Sequence, residues 1–258
     1  IYVNLYLQNS VTVDLKGERI ALEQVTDFPW NGRVLLKINS SSSKPFEMAL
    51  RIPGFARNEV LPGNLYAFAD NFKPEYSIKI NGKIADFRLE KGYAIIAKEW
   101  KTGDDIELVL PLETRRVKAD ERIKADNGKT ALMRGPLIYS AEWPDMPDKH
   151  VLNLVLPTSS KLKTEFKPAM LGGITTISAE GKSLKKTEKG KLEETPVEIT
   201  AIPYFAWANR GPGEMAVWLP TENKYSRPLP PPSLATESKI SASVPKNTLA
   251  SLRDGLLP

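Results

Sequence analysis

Of the side chains that do acid–base or nucleophilic chemistry, this sequence offers carboxylates and little else. It contains no cysteine and a single histidine, His150. That excludes disulfides, thiolate metal sites, iron–sulfur clusters, a cysteine nucleophile and any relay built on several histidines within this chain. What remains is carboxylate chemistry, for which glycoside hydrolysis needs two carboxyl groups about 5–10 Å apart. The adjacent pairs Asp104–Asp105 and Glu193–Glu194 are the obvious candidates. Both stand in turn-like, lysine-flanked sequence, and neighbours along a strand point to opposite faces, so neither pair is expected to converge on one substrate. His150, between Asp148-Lys149 and the apolar run Val151–Leu156, reads as an exposed or capped side chain at a strand start. No nearby serine carries a nucleophile-elbow pattern, and Gly172–Gly173 lacks the GxxxxGK of a phosphate loop. No catalytic residue and no metal ligand is assigned to this chain, and no cofactor is expected in it.

Binding chemistry is better represented. Sugars stack on the faces of tryptophan and tyrosine, and Trp30, Trp100, Trp143, Tyr204, Trp207 and Trp218 are the rings to consider. Trp218 lies in a strand-like alternation and reads as core. Trp30, in Thr26–Gly32 (TDFPWNG), and Trp207, in Pro203–Gly211 (PYFAWANRG), lie in loop-like contexts. There an amphipathic ring faces either a neighbouring domain or a ligand. Packing against a domain is the preferred reading, with a sugar platform second. The candidate contact residues are Trp30, Tyr204, Trp207, Asn209 and Arg210.

These residues need elements to hold them, and the sequence supplies strands. Alternating runs at 1–7 and Val11–Leu15 are followed by 33–39 and 46–52, the latter stopped by Pro53-Gly54. Tyr76–Ile84 contains Asn81-Gly82, a strong two-residue hairpin turn. Gly92–Ile96 and Ile106–Pro111 continue the meander, and no convincing amphipathic helix appears. After a charged stretch, Arg115–Asp126, a second β unit begins with Lys129–Trp143 and runs through Val151–Leu156, Gly173–Ser178, Val197–Ala201 and Glu214–Leu219. The expected fold is all-β: a β-sandwich over 1–118, a second antiparallel β-sandwich over 119–220, a Pro-rich linker at 221–232 and a short tail at 233–258. The boundary at 118 is soft by about ten residues.

Bulk properties narrow the partners. The 258 residues suffice for a sizeable core. With 36 basic and 31 acidic residues interleaved, no single-sign run makes a nucleic-acid footprint. The lysine-rich stretch Lys182–Lys191 reads as a solvated hairpin loop. No run approaches the roughly 20 apolar residues of a membrane-spanning helix. The chain opens on Ile1 directly in a β-rich run, without a leader pattern, and is read as a fragment or processed product.

Several blocks also carry a resemblance. Tyr2–Leu7 (YVNLYL), Thr26–Gly32, Leu50–Ala56 (LRIPGFA), Leu132–Tyr139 (LMRGPLIY) and Ile202–Trp218 (IPYFAWANRGPGEMAVW) resemble, in order, the β-L-arabinofuranosidase-type glycoside hydrolases of family 127. The resemblance implies an upstream α/α barrel that carries catalysis, with a cysteine nucleophile, a cysteine-and-glutamate zinc site and a glutamate acid/base. None of those positions is in this chain. It further implies that the longer protein cleaves arabinofuranosidic or related plant-glycan linkages, outside the cytoplasm in the periplasm or beyond, and that the sandwiches support the barrel, pack domains or make homodimer contacts. A free-standing carbohydrate-binding protein using the loop aromatics is the alternative. The tail, Leu234–Ser243 with Leu252–Pro258, resembles the opening of a discoidin-like, galactose-binding-type jelly roll.

Overall fold

The computed structural model describes residues 1–40, 42 and 44–231, so the tail expected at 233–258 lies outside the described residues. The fold is all-β, with strands and short 3-10 turns and no α-helix among the described residues.

The first sandwich has two sheets. One places Tyr2–Val3, Phe46–Arg51, Tyr93–Lys98 and Arg88–Glu90 side by side, antiparallel except for the first pair. The other orders Asn9–Leu15, Glu18–Thr26, Arg33–Ile38, Asp105–Val109, Ser77–Ile80 and Lys83–Ile84, antiparallel throughout. Period-two patterning decides which side faces in: Ile20 and Leu22 on one strand and Val34, Leu36 and Ile38 on the next are buried, while the residues between them are only partly covered. They meet Met48, Leu50 and Ile96 from the facing sheet, and Trp100 closes the core with no exposed surface. Asn81 and Gly82 take the left-handed backbone that joins Ser77–Ile80 to Lys83–Ile84.

The second unit is built on one long sheet. Its order is Leu154–Val155, Ile174–Lys186, Leu192–Pro203, Leu137–Glu142, Lys129–Arg134, Thr114–Ala119 and Tyr66–Phe68. Lys163–Lys167 joins Ile174–Lys186, Met215–Ala216 joins Leu137–Glu142, and Leu219–Pro220 joins Lys129–Arg134. Tyr139, Met146, Leu154, Ile177, Ile199 and Leu219 fill its core.

The two units share material. Tyr66–Phe68, from the first half of the sequence, pairs with Thr114–Ala119 in the second sheet. On Lys129–Arg134, Ala131 and Met133 face the first core while Leu132 faces the second, so Thr130–Met133 are all buried. The charged stretch opens as the strand Thr114–Ala119, which runs across position 118. Arg115 is buried there, with its guanidinium 3.5 Å from the Phe68 ring centroid and 2.6 Å from Asp70.

Three further expectations change. The strand expected over Val151–Leu156 is formed only by Leu154–Val155, because 151–153 turn to satisfy Glu214 and Asp148. The lysine-rich stretch Lys182–Lys191 is half strand: Ile174–Lys186 and Leu192–Pro203 pair up to the tip, leaving 187–191 as the hairpin turn. The lysines decorate a hairpin tip rather than a loop. Finally, the Pro-rich stretch is zipped to this hairpin: the Leu229 N–H donates to the Leu184 carbonyl at 3.0 Å, and the Lys186 N–H donates to the Leu229 carbonyl at 2.8 Å.

Candidate functional site

Two loops and one strand bring exposed aromatic side chains together. In the first loop the N–H groups of Trp30 and Asn31 both donate to the Asp27 carbonyl. The Asn31 side chain accepts from the Arg33 N–H at 2.8 Å, and Thr26 Oγ1 accepts from the Phe28 N–H while donating to the Arg33 carbonyl. Arg134, on a strand of the other unit, reaches across to the carbonyls of Pro29 and Trp30 at 3.4 and 3.3 Å. Trp30 is thereby fixed over a small apolar cluster of Ile174, Ile202 and Ala206.

The second loop follows Leu192–Pro203 with a short 3-10 turn, Tyr204–Ala206. Ala208 then adopts φ +66°, a left-handed conformation that costs an alanine about 1–2 kcal/mol. Glu142 holds it there: this buried carboxylate accepts the Ala208 N–H at 3.1 Å and is gripped by the Arg210 fork. Arg210 also forms two 2.7 Å bonds to Asp145. Hydrogen bonding to Asp145, and then to Glu142, pushes the Arg210 guanidinium further up against the opposing effect of burial. The Asn209 amide donates to the carbonyls of Ala206 and Trp207, closing the turn on itself.

The rings assemble around Trp30. Phe166, from Lys163–Lys167, lies 6.2 Å from it and Phe205 lies 6.3 Å from it, centroid to centroid. Tyr204 stacks on Trp207 at 6.0 Å. Phe205 is 62% exposed and Phe166 51%, far more than buried aromatics allow. Of the residues singled out from the sequence, Tyr204 and Trp207 stack on one another, Trp30 lies instead against Phe166 and Phe205, and Asn209 and Arg210 hold the backbone of the second loop. Sequence reasoning passed over Phe166, Phe205 and Arg134. Phe205 stood beside Tyr204 in the same motif, whereas Phe166 sits in a lysine-flanked strand with no apolar periodicity to flag it.

The other candidates are structural. Trp100 is core, Trp218 is half-buried and stacks on Tyr66 at 5.8 Å, and Trp143 packs beside Gly213, whose added Cβ would meet the indole at 2.1 Å. His150 Nδ1 lies 3.1 Å from Glu214. Burial works to raise the Glu214 carboxyl, but N–H groups of Val151 and Leu152 and the His150 ring outweigh it and hold it below the usual range. Asp104 is similar: burial raises it, yet hydrogen bonds from Asn81, the Lys101 N–H and Lys98, with the Lys98 charge, bring it to about 2. Glu194 is tied to Lys182 and Asn223. Among the described residues, every carboxyl group that departs clearly from its ordinary value moves down, the direction opposite to that required of a glycosidase general acid. The described residues contain no grouping of three or more His, Cys, Asp or Glu side chains able to hold a metal, and so do not fit a zinc ion.

Comparison with known proteins places this arrangement. Residues 1–112 match the family model described as "Beta-L-arabinofuranosidase, GH127 middle domain", and residues 114–220 match "Glycoside hydrolase family 127 C-terminal domain". The chain is 29% identical over 220 residues to a "Non-reducing end beta-L-arabinofuranosidase" of Bifidobacterium longum subsp. longum, covering 77% of this chain and 30% of that protein. Among solved structures, a GH127 beta-arabinofuranosidase superposes with a TM-score of 0.85 at 43% identity, over 89% of this chain and 36% of the other. A GH127 beta-L-arabinofuranosidase from Geobacillus stearothermophilus T6 gives 0.72 at 32% identity, over 85% of this chain and 33% of the other. The chain therefore spans about a third of the length of the relatives it matches.

Proposed function

Because the chain belongs to glycoside hydrolase family 127, matching the family's middle and C-terminal domains in order, we propose that it is the non-catalytic two-sandwich portion of an enzyme that cleaves arabinofuranosidic linkages. In this reading the catalytic groups and any zinc belong to a barrel elsewhere in the longer protein, and the sandwiches give that barrel a rigid base. The substrate is a plant-derived glycan.

The observation that carries the reading is the aromatic face formed by Tyr204, Phe205 and Trp207. Its backbone is pinned by a buried arginine–carboxylate network, which makes it a preformed surface rather than a mobile loop. A preformed face loses little side-chain freedom on docking, so the buried apolar area, worth about 25 cal/mol per Å², goes largely into holding the neighbouring domain. The downward-shifted carboxylates agree with a supporting role, since each is kept ionised by structural partners.

The test uses the longer enzyme. Tyr204→Ala and Trp207→Ala are expected to lower the melting temperature of its catalytic domain and its turnover, while the 258-residue chain with the same changes keeps its own unfolding midpoint. Unchanged stability and turnover in both long variants would overturn the proposal.

A further inference from the structure

Beside Trp30, the structure opens a cleft of about 480 Å³ between the 27–31 loop and the strand Lys163–Lys167. That volume falls within the range of about 300–1,000 Å³ typical of small-molecule sites. Trp30 and Phe166 give it two aromatic surfaces, set at 54° to one another, and Asp27, Asn31, Thr164 and Glu165 give it a polar rim.

Several polar groups at the cleft are not spent on the protein. Among the described residues the Asp27 carboxylate, the Trp30 indole N–H and the Thr164 hydroxyl have no hydrogen-bond partner, and the Asn31 side chain uses its oxygen on Arg33 and leaves its NH₂ group free. Asp27, Asn31 and Thr164 are exposed residues and the Trp30 indole nitrogen is not buried, so none of these groups calls for an internal partner. The loop that bears them is nevertheless rigid, because Arg134 and the Asp27 carbonyl fix its backbone. Donors and acceptors held in place around aromatic faces match one ligand chemistry well. A sugar ring presents a C–H face that lies on an aromatic ring, and a rim of hydroxyls that both donate and accept.

Charge narrows the class. Two acidic groups, Asp27 and Glu165, and the guanidinium of Arg134 line the cleft; Glu165 is paired with Lys167 at 2.5 Å, and Arg134 donates to main-chain oxygens while keeping its charge. The two carboxylates are thus matched by two cations, and the lining carries no net charge that would draw a uronate or a phosphate in preference to a neutral ligand. We propose that the cleft is a binding subsite for a neutral oligosaccharide. The proposal rests on the reading of the chain as part of a glycan-cleaving enzyme, and it concerns residues separate from the face assigned to domain docking.

The experiment is a titration of the 258-residue chain with an arabinofuranosyl trisaccharide, followed by tryptophan fluorescence and calorimetry, with a galacturonate trisaccharide as comparator. Saturable binding of the arabinofuranosyl ligand alone is expected. Trp30→Ala and Phe166→Ala should each weaken it about tenfold or more, Asp27→Asn should weaken it by a smaller factor, and Tyr204→Ala should leave it unchanged. Phe166 and Asp27 are exposed, so these two variants remain informative if Trp30→Ala disturbs folding. No saturation at about 10 mM, equal binding of the galacturonate, or wild-type affinity in the Phe166 and Asp27 variants would overturn the subsite. Such a failure leaves the docking proposal standing, because that is read from the stability of the longer enzyme.

Discussion

Arg210 grips Glu142 through Nε and Nη2 together, and the carboxylate it holds has a side chain only 1% exposed. The same carboxylate fixes the left-handed Ala208, so one ion pair sets the course of the whole aromatic loop. Replacing Arg210 by Met leaves a buried charge without its partner. We expect a loss of about 3–5 kcal/mol in urea denaturation. Arg210→Lys should recover only part of it, since a single ammonium cannot bridge Glu142 and Asp145 as the fork does.

Asp104 gives the first sandwich an acid-sensitive joint. Its folded pKa is about 2 against an ordinary value of 3.8, so its contribution is complete above pH 4 and is lost as pH falls toward 2. The size is on the order of 2 kcal/mol. Asp104→Asn should flatten the stability profile between pH 2 and about 4 and lower stability at neutral pH, as followed by thermal melts across that range.

Gly32 lets the loop that carries Trp30 lie against the sheet. A Cβ there would fall 2.0 Å from the Leu110 carbonyl oxygen, while the Leu110 N–H donates to the Gly32 carbonyl at 2.9 Å. The obstructing atom is backbone and cannot swing away. Gly32→Ala is expected to cost about 1–3 kcal/mol and to alter the Trp30 fluorescence environment.

The proline-rich stretch is expected to behave as a bound strap. Amide hydrogen exchange should show the N–H groups of Lys186 and Leu229 protected to a similar degree, since each donates to a main-chain carbonyl across the same junction. Fast exchange at both would show that the strap is open in solution.

Alternation was enough to locate Arg33–Ile38, because there one face is buried and the period is written in the residues, and turn chemistry was enough to place the Asn81-Gly82 hairpin. It failed where burial and charge part company. Thr114–Ala119 carries two arginines and a lysine, and nothing local announces that Arg115 lies under Phe68 and against Asp70, about 45 residues upstream. The strap failed for a related reason: prolines read as a stiff connector, and its pairing depends on a hairpin tip more than 40 residues away in sequence. The candidate face divides along the same line. Trp30, Tyr204 and Trp207 were legible as loop aromatics, but their assembly around Trp30, and the part played by Phe166, depend on a strand whose exposed pattern carries no signal.

The strand Tyr66–Phe68 sits on the far side of the point where the two family models meet, and it completes the sheet of the unit it does not belong to by sequence. A gene fusion that borrowed residues 1–112 alone would inherit an orphan strand, and one that borrowed 114–220 alone would inherit an open edge at Thr114–Ala119 and an Arg115 stripped of its counter-ion. Heredity therefore has little freedom to shuffle these halves. The pair, and not either sandwich, is the smallest piece that recombination can carry intact from one enzyme to another.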